Sequence, residues 1–371
     1  MDNRKIGAVG AENNGDGPAR SHPFIAPAVH LPYPGSDNQE ETMNFSRRSL
    51  LGAAVTASAG AILPRRVLAD AYPSRPIHLI VPFAAGGNAD IVGRLVGDQM
   101  GKALDGTVVV DNRGGAGGGI GAEYVAHAAA DGYTLLVGSN GPLTVNPFIH
   151  LELGYDPLKD FAPIALTSYV PHALILSNAV TVKTVADFIA QSKKTPMTIA
   201  TSGVGSATHM TLERFKAATG ANITHVPYRG GGALMPDLMG GTVNGAMTEF
   251  STALPMHKSG KAHILAIAAT HRSKLAPDIP TFEEQGVKGF VAQSYIGILA
   301  PAKTSPVILA KLQAAVAKGL AAGSPAADRL VALGSEVATP EQMTAKGFAE
   351  FIQTDYAAMR EAAKLAGIKP S

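Results

Sequence analysis

The sequence predicts an α/β fold in which mainly parallel sheets are covered by helices on both faces. Two observations predict it. Apolar, β-branched runs alternate along the chain with stretches whose apolar residues recur at helical spacing, and that alternation is typical of parallel sheets. The length of 371 residues exceeds a single domain of about 150 residues and favours two lobes.

The predicted elements follow one another as strand, glycine turn and helix. A β-branched run at 77–81 predicts the first strand, which ends at Pro82. Apolar residues at helical spacing over 91–104 then predict the first helix. Further strands are predicted at 108–110, 133–137, 174–176, 198–200 and 295–299, and further helices at 122–130, 210–218 and from 306 onward.

Two of these strands mark the places where the chain changes lobes. The chain is predicted to enter a second lobe near 174–176 and to return near 295–299. The first lobe then comprises 72–173 plus 293–371, and the second comprises 174–292. Because the chain crosses twice, the crossings are predicted to form a hinge beside a ligand cleft.

Residues 1–71 are predicted to precede the folded body. Residues 1–42 are rich in Gly, Asn, Pro and Asp and show no helical or strand period, which predicts a disordered extension or a misplaced start site. Residues 43–71 read as a signal peptide, with a twin-arginine pair at 47–48 and a small-residue cleavage site at 69–71. The apolar stretch between them is too short to span a membrane. These features predict export to the periplasm, by the twin-arginine or the general route.

The composition excludes several classes of protein. The chain has no cysteine, which excludes disulfide scaffolds, thiol enzymes and cysteine-ligated metal sites. The net charge is only +2, and no basic run interleaved with aromatic residues is present, so nucleic acid is not a predicted partner. No histidine pair has metal-binding spacing. The sequence therefore predicts neither a metal nor a cofactor.

Two glycine loops, at 84–90 and 201–208, are the candidate ligand-binding segments. Each follows a predicted strand and opens a helix, so its backbone N–H groups are unpaired and lie at the positive end of the helix dipole. Such a turn suits an anion. In the alternative interpretation, Asn88 and Ser206 only cap helices and the glycines only permit tight turns. The binding hypothesis requires Asn88 and Ser206 to face one shared crevice.

Catalytic and cofactor motifs are weak by comparison. The segment 117–122 matches G-x-G-x-x-A, but it does not directly follow a strand and no acidic residue stands about 20 positions further on. Ser202 and His209 could act as a nucleophile and base, but they lie seven residues apart around a predicted helix start, and no nearby acid would orient the histidine. A small-acid or ester hydrolase using Ser202 or Asp90 remains the enzymatic alternative, and no catalytic residue is assigned.

Eight ordered segments of the chain carry a family resemblance. Examples are Val-Pro-Phe-Ala-Ala-Gly-Gly at 81–87 and His-Val-Pro-Tyr-Arg-Gly at 225–230. The other segments lie at 72–77, 110–118, 130–136, 155–163, 238–241 and 277–281. Over 72–371 the chain resembles the extracytoplasmic solute receptors of tripartite tricarboxylate transporters, the Bug or TctC family. The resemblance implies a type II periplasmic-binding-protein fold whose two lobes close on a small carboxylate without catalysis.

The resemblance also implies ligand, partner and site. The ligand is expected to be a small aliphatic or aromatic mono- or dicarboxylate, the partner a membrane permease, and the receptor a monomer; an orphan receptor for a signalling partner is the alternative. The chain departs from the family pattern at 88–89 and at 248–251. The residues that the resemblance assigns to ligand binding are Phe83, Ala84, Gly87, Asn88, Asp90, Ser139, Asn146, Thr201, Ser202, Gly205, Ser206 and His209.

Overall fold

A computed structural model of the chain describes residues 72–365. The predicted extension at 1–42 and signal peptide at 43–71 lie outside the described residues. The strands are β1 (Ile77–Val81), β2 (Val108–Asn112), β3 (Thr134–Gly138), β4 (Phe161–Ser177), β5 (Met197–Thr201), β6 (Ile223–Pro227), β7 (Gly245–Glu249), β8 (Ala262–Ile267), β9 (Gln293–Pro301) and β10 (Glu336–Val337).

Helices separate most of these strands. They are α1 (Asn88–Leu104), α2 (Gly119–Ala126), α3 (Val185–Lys194), α4 (Ala207–Thr219), α5 (Gly231–Gly240), α6 (Phe250–Lys258), α7 (Pro306–Gly319), α8 (Pro325–Ala332) and α9 (Ala345–Leu365). A short 3-10 turn precedes α2, and a π-helical turn follows β3 at Gly141–Val145. No helix within residues 72–365 is long and apolar enough to cross a membrane.

The strands form two sheets that share β4. The first sheet has the order β2-β1-β3-β9-β4, and the second places β8 and β7 beside β4, followed by β5 and β6. Pairs β1–β2, β1–β3, β5–β6 and β5–β7 are parallel. Every antiparallel pair includes β4 or β9, the strands at which the chain passes between the sheets. The predicted α/β fold is confirmed.

Each sheet has its own hydrophobic core. We call the first sheet with α1, α2 and α7–α9 the first lobe, and the second sheet with α3–α6 the second lobe. The first core contains residues of β1, β3, β9, α1 and α7. In the second lobe, the rings of Phe215, Phe282 and Phe290 pack against one another with centroids 4.9–5.9 Å apart. Two cores on either side of β4 make two packed bodies joined by few strands.

The sheets bring the candidate loops to their edges. In parallel strands the carboxyl ends share one edge, and the turns after β1, β3, β5 and β7 open there. The glycines of α1 allow this helix to lie close to its sheet. A Cβ added to Gly93 would lie 3.0 Å from the Val81 side chain, so glycine is needed for the close approach of α1 to β1.

Candidate functional site

A narrow cavity lies between the two lobes at the carboxyl ends of the strands. It contains about 380 Å³ of space outside protein atoms, part of which is open to solvent, and the centre of a water molecule fits in only about 20 Å³ of it, which is room for one or two waters. The lobes are therefore closed on each other. The lining residues are Phe83, Gly87, Asn88, Ala89, Ser139, Ser202, Ser206, Ala207, Gly231, Glu249, Ser294 and Ile296.

The first wall of the cavity is the N-terminus of α1. Its N-cap residue is Gly87, which has no side chain to accept a hydrogen bond from the helix. The first free N–H groups of the helix, beginning with those of Asn88 and Ala89, therefore keep their donor capacity. Asn88 is not the cap of this helix, so the capping interpretation does not explain that residue. Its side-chain oxygen instead accepts a hydrogen bond of 2.9 Å from Ser251 in the second lobe.

Asp90 stabilises this turn from outside the cavity lining. Its carboxylate accepts hydrogen bonds from the backbone N–H of Gly86, from Arg94 Nε and from Asn112 Nδ2, at 2.9–3.0 Å. Burial alone would raise the pKa of Asp90, but these bonds outweigh it and hold the pKa below its ordinary value. The residue does not line the cavity. Asp90 is thus an ionised, fully engaged carboxylate that holds the glycine loop in place.

The second wall is the N-terminus of α4. Ser206 caps this helix, since its hydroxyl accepts a hydrogen bond of 3.1 Å from the N–H of His209. The capping interpretation is therefore correct for Ser206, which also lines the cavity. Ser202 is different. Its hydroxyl is buried and has no hydrogen-bond partner among the described residues.

An unpaired buried hydroxyl points to a missing partner. Leaving a buried polar group without a hydrogen bond costs about 1–3 kcal/mol, and native proteins rarely tolerate it without a reason. Ser202 lies on the cavity wall, and its backbone N–H donates to Thr208 Oγ1 in the first turn of α4 at 3.0 Å. A ligand atom that accepts a hydrogen bond would satisfy it.

The lobes touch through backbone on either side of the cavity. The N–H of Ala84 in the first lobe donates to the carbonyl of Arg229 in the second, at 2.8 Å. A Cβ at Gly232 of α5 would overlap the carbonyl oxygen of Ala85, and one at Gly117 would lie 2.5 Å from the carbonyl carbon of Gly205. Glycine at these contacts lets the two lobes approach to backbone distance.

The structure brings half of the predicted site residues together. Asn88 and Ser206, from different lobes, line the same cavity, as the binding hypothesis requires. The predicted residues on the cavity wall are Phe83, Gly87, Asn88, Ser139, Ser202 and Ser206.

The other predicted residues lie behind the wall. Ala84 and Asp90 make the bonds described above, and Asn146 Nδ2 donates to the carbonyl of Ala116 at 3.0 Å. Thr201 Oγ1 lies 2.7 Å from His225 Nε2. Gly205 packs against Asn146, where a side chain would overlap the amide oxygen. These residues, with His209, support the loops and do not line the cavity.

His209 is a packed histidine in this structure. Its ring stacks on His225 with centroids 4.3 Å apart, and its Nδ1 accepts a hydrogen bond of 3.3 Å from the N–H of Gly205. Burial lowers the pKa of His209, and burial together with the neighbouring His209 ring lowers the pKa of His225 to about 4. Neither ring is bonded to Ser202, so the hydroxyl has no general base.

Sequence reasoning missed half of the lining residues. These are Ala89, Ala207, Gly231, Glu249, Ser294 and Ile296. Glu249 is the last residue of β7 and Ser294 lies near the start of β9. No glycine loop marks either position, but Glu249 lies in 248–251, one of the two segments where the chain departs from the family pattern.

Within residues 72–365 no cluster of three or more His, Cys, Asp or Glu side chains could hold a metal ion. The cavity lies between two α/β lobes and is lined by hydroxyl groups and by residues at the N-termini of α1, α4, α5 and α6. A position between two domains is typical of small-molecule sites. Comparison with known proteins agrees. The family model "Tripartite tricarboxylate transporter family receptor" (TctC) matches residues 92–365. The chain belongs to this family of periplasmic solute-binding receptors, which confirms the predicted resemblance and fold.

The alignments with individual relatives span nearly the whole length of those proteins. Protein BugT of Bordetella pertussis is 36% identical over 325 residues, which are 86% of this chain and 98% of BugT. The structure of the periplasmic binding protein BugD superposes with a TM-score of 0.78 at 33% identity, over 81% of this chain and 100% of BugD. MatC of Rhodopseudomonas palustris, solved with bound malate, has a TM-score of 0.75 at 33% identity, over 78% of this chain and 99% of MatC.

Proposed function

We propose that this protein captures a small mono- or dicarboxylate between its two lobes and delivers it to a tripartite tricarboxylate-type membrane permease. One observation carries the proposal. Helix N-termini from both lobes meet at one cavity whose wall includes the unpaired hydroxyl of Ser202. Oriented N–H groups and a hydroxyl stabilise a carboxylate without any lysine or arginine.

The same geometry supports a mechanism in which the two lobes close on the ligand. A ligand that touches both α1 and α4 favours the closed arrangement over an open one, because only the closed form offers both sets of donors. We propose that residues 72–173 with 293–371 and residues 174–292 move as two bodies about β4 and the start of β9. The malate bound to MatC supports a small carboxylate as the ligand class.

The proposal also includes export and the absence of catalysis. A cleaved signal at 43–71 would deliver residues 72–371 to the periplasm, where the receptor acts as a monomer. Ester hydrolysis is not favoured, because Ser202 Oγ has no general base among its neighbours.

The test is titration calorimetry of the purified protein against aliphatic and aromatic carboxylates, with the corresponding neutral amides as matched controls. At least one carboxylate should bind, and its amide should not, because the amide lacks the charge that the helix N-termini stabilise. A folded protein that gives no heat with any acid, or binds amides equally well, would contradict the proposal.

A further inference from the structure

A second space between the two lobes lies beside β4 and β9. One wall is the segment 267–275 of the second lobe, at the end of β8, and the other is the segment 331–336 of the first lobe, from the end of α8 to the start of β10. We call this space the hinge groove. The centre of a water molecule fits in about 460 Å³ of it, which is a size typical of sites for small organic molecules.

The connecting strands separate the hinge groove from the cavity. Successive side chains of a strand point to opposite faces. On β9, Ser294 and Ile296 line the cavity, whereas Gln293 lines the hinge groove. Pro171 of β4, which pairs with Gln293, also lines the groove. The cavity and the hinge groove therefore lie on opposite faces of the two strands that connect the lobes.

The two spaces are mechanically related through these strands. A rotation of the lobes about β4 and β9 that widens the cavity narrows the groove on the other face. The lobes are already in contact there, since a Cβ added to Gly334 of the first lobe would lie 2.5 Å from the ring of Phe250 in the second. Phe250 directly follows Glu249, which lines the cavity. The closed form is thus the form in which the groove is widest.

Both lobes expose apolar side chains to the hinge groove. Val291 of the second lobe is 41% exposed, and Val331 of the first lobe is 53% exposed. Both residues line the groove. Covering such side chains with an apolar molecule is favourable, because it removes apolar surface from water. A molecule whose apolar body bridges Val291 and Val331 would contact both lobes at once.

The charges favour an anionic group at the second-lobe wall. His271, Arg272 and Lys274 lie on this wall. Glu336, the acidic residue of the lining, lies on the opposite wall. Arg272 is engaged by Glu284, since its Nε donates to both carboxylate oxygens at 2.9 Å. Lys274 has no ion-pair partner in the described part of the chain, and an anionic group would supply one.

We propose that the hinge groove is a second binding site, which takes an organic anion with an apolar body and thereby favours the closed form. The anionic group binds Lys274, and the apolar body spans Val291 and Val331. Because the groove is widest in the closed form, its occupant and the ligand of the cavity stabilise the same arrangement, and each raises the affinity of the other by the same factor. This coupling rests on the proposed function, since it uses the same hinge motion.

The experiment uses octanoate as the probe and octanamide as its neutral counterpart. Both are titrated by calorimetry at pH 7 into the wild type, Val331→Trp and Lys274→Gln. The control for Val331→Trp is Val307→Trp, since Val307 is 68% exposed at the start of α7 and does not line the groove. The control for Lys274→Gln is Lys346→Gln, since the Lys346 side chain is 86% exposed. Melting temperatures verify folding, and small-angle X-ray scattering measures the radius of gyration with and without octanoate.

Octanoate should bind the wild type more tightly than octanamide and should reduce its radius of gyration. Val331→Trp fills the groove and should weaken octanoate binding about tenfold. Lys274→Gln should weaken octanoate binding about two- to fivefold, as expected for an exposed ion pair, and should leave octanamide binding unchanged. Both control variants should match the wild type.

Three results would overturn the inference. One is no heat with octanoate, and another is bound octanoate that leaves the radius of gyration unchanged. The third is octanoate binding that neither Val331→Trp nor Lys274→Gln weakens; if Ser206→Asp abolishes it instead, octanoate occupies the cavity and the proposed function stands. Conversely, octanoate bound at the groove of a protein that binds no acid in its cavity would contradict the proposed function and leave the second site standing.

Discussion

The turns that open α1 and α4 are built from the same elements but present different chemistry to the cavity. The α1 turn has a glycine cap, and its carboxylate, Asp90, is engaged away from the cavity with Gly86, Arg94 and Asn112. The α4 turn keeps a hydroxyl, Ser202, without a partner. The first turn is therefore held by side-chain bonds and leaves backbone donors free, whereas the second also leaves a side-chain donor free.

The largest effect is expected from Gly232→Ala, which tests whether the α1 turn must touch the second lobe. A methyl group there overlaps the carbonyl of Ala85 in the closed structure. A backbone carbonyl cannot turn aside as a flexible side chain can. Overpacking at the upper end of about 1–3 kcal/mol would weaken ligand affinity about 100-fold. Calorimetry measures the affinity, and small-angle X-ray scattering should show a larger radius of gyration with ligand than the wild type has.

Gly240→Ala is the matched control in the same helix. The nearest atom to a Cβ at Gly240 is 3.9 Å away, so this substitution should leave closure unchanged. Equal affinities for the two variants would show that the contact between Gly232 and Ala85 is not needed for binding.

The second-largest effect is expected from a substitution in the α4 turn. Ser202→Ala should reduce affinity for the bound carboxylate by about 1.5–3 kcal/mol, which is the range for a hydrogen bond to a charged group. Folding stability should stay the same or rise, because the substitution removes a buried, unpaired hydroxyl. Calorimetry and urea denaturation measure the two quantities, with Ser259→Ala on the surface as control. A loss of stability without a loss of affinity would assign Ser202 to the fold.

The α1 turn should show the opposite pattern. Asp90→Asn removes a charge that accepts three hydrogen bonds, so the free energy of unfolding should fall by about 1–3 kcal/mol at pH 7. The folded pKa of Asp90 is depressed, so its contribution is present above the unfolded pKa of about 3.9 and is lost as the pH falls through the folded value. The variant and wild type should therefore converge in acid.

Urea denaturation between pH 7 and pH 3 checks this dependence. Asp98→Asn, on the exposed face of α1, is a matched control, because the Asp98 side chain is 56% exposed. A constant difference between Asp90→Asn and the wild type over that range would contradict the account of the Asp90 carboxylate.

The smallest effect is expected at the cap of α4. Ser206→Ala should destabilise the protein by about 1 kcal/mol, because the N–H of His209 loses its acceptor. Ser206→Asp, which can also cap, should restore stability but place a negative charge at the cavity and weaken carboxylate binding. Thermal denaturation and calorimetry separate the two roles. Unchanged affinity in Ser206→Asp would exclude Ser206 from the ligand's surroundings.

Local sequence predicted the elements whose pattern is uninterrupted. The run at 77–81 became β1 with the same bounds. Only 174–176 was predicted of β4, which spans Phe161–Ser177, because Pro163 and Pro171 break the apolar run and proline is unusual inside a strand. Pro163 stands at a register shift between β4 and β9, where the ladder tolerates it.

The candidate site also contains some residues that local sequence predicts and others that it does not. Glycine turns predicted Gly87, Asn88, Ser202 and Ser206, which the structure places on the cavity wall. Glu249 reaches the cavity only because β7 lies beside β5 in the folded sheet. Strand order depends on long-range pairing, which no local pattern in one sequence specifies.

The most direct measurement is a crystal structure of the protein with a carboxylate identified by calorimetry. The account predicts one ligand carboxylate within about 3 Å of the free N–H groups of α1 and of α4, with Ser202 Oγ donating to it. A carboxylate held by one lobe alone, or bound outside the cleft, would contradict the claim that both helix N-termini bind the ligand together.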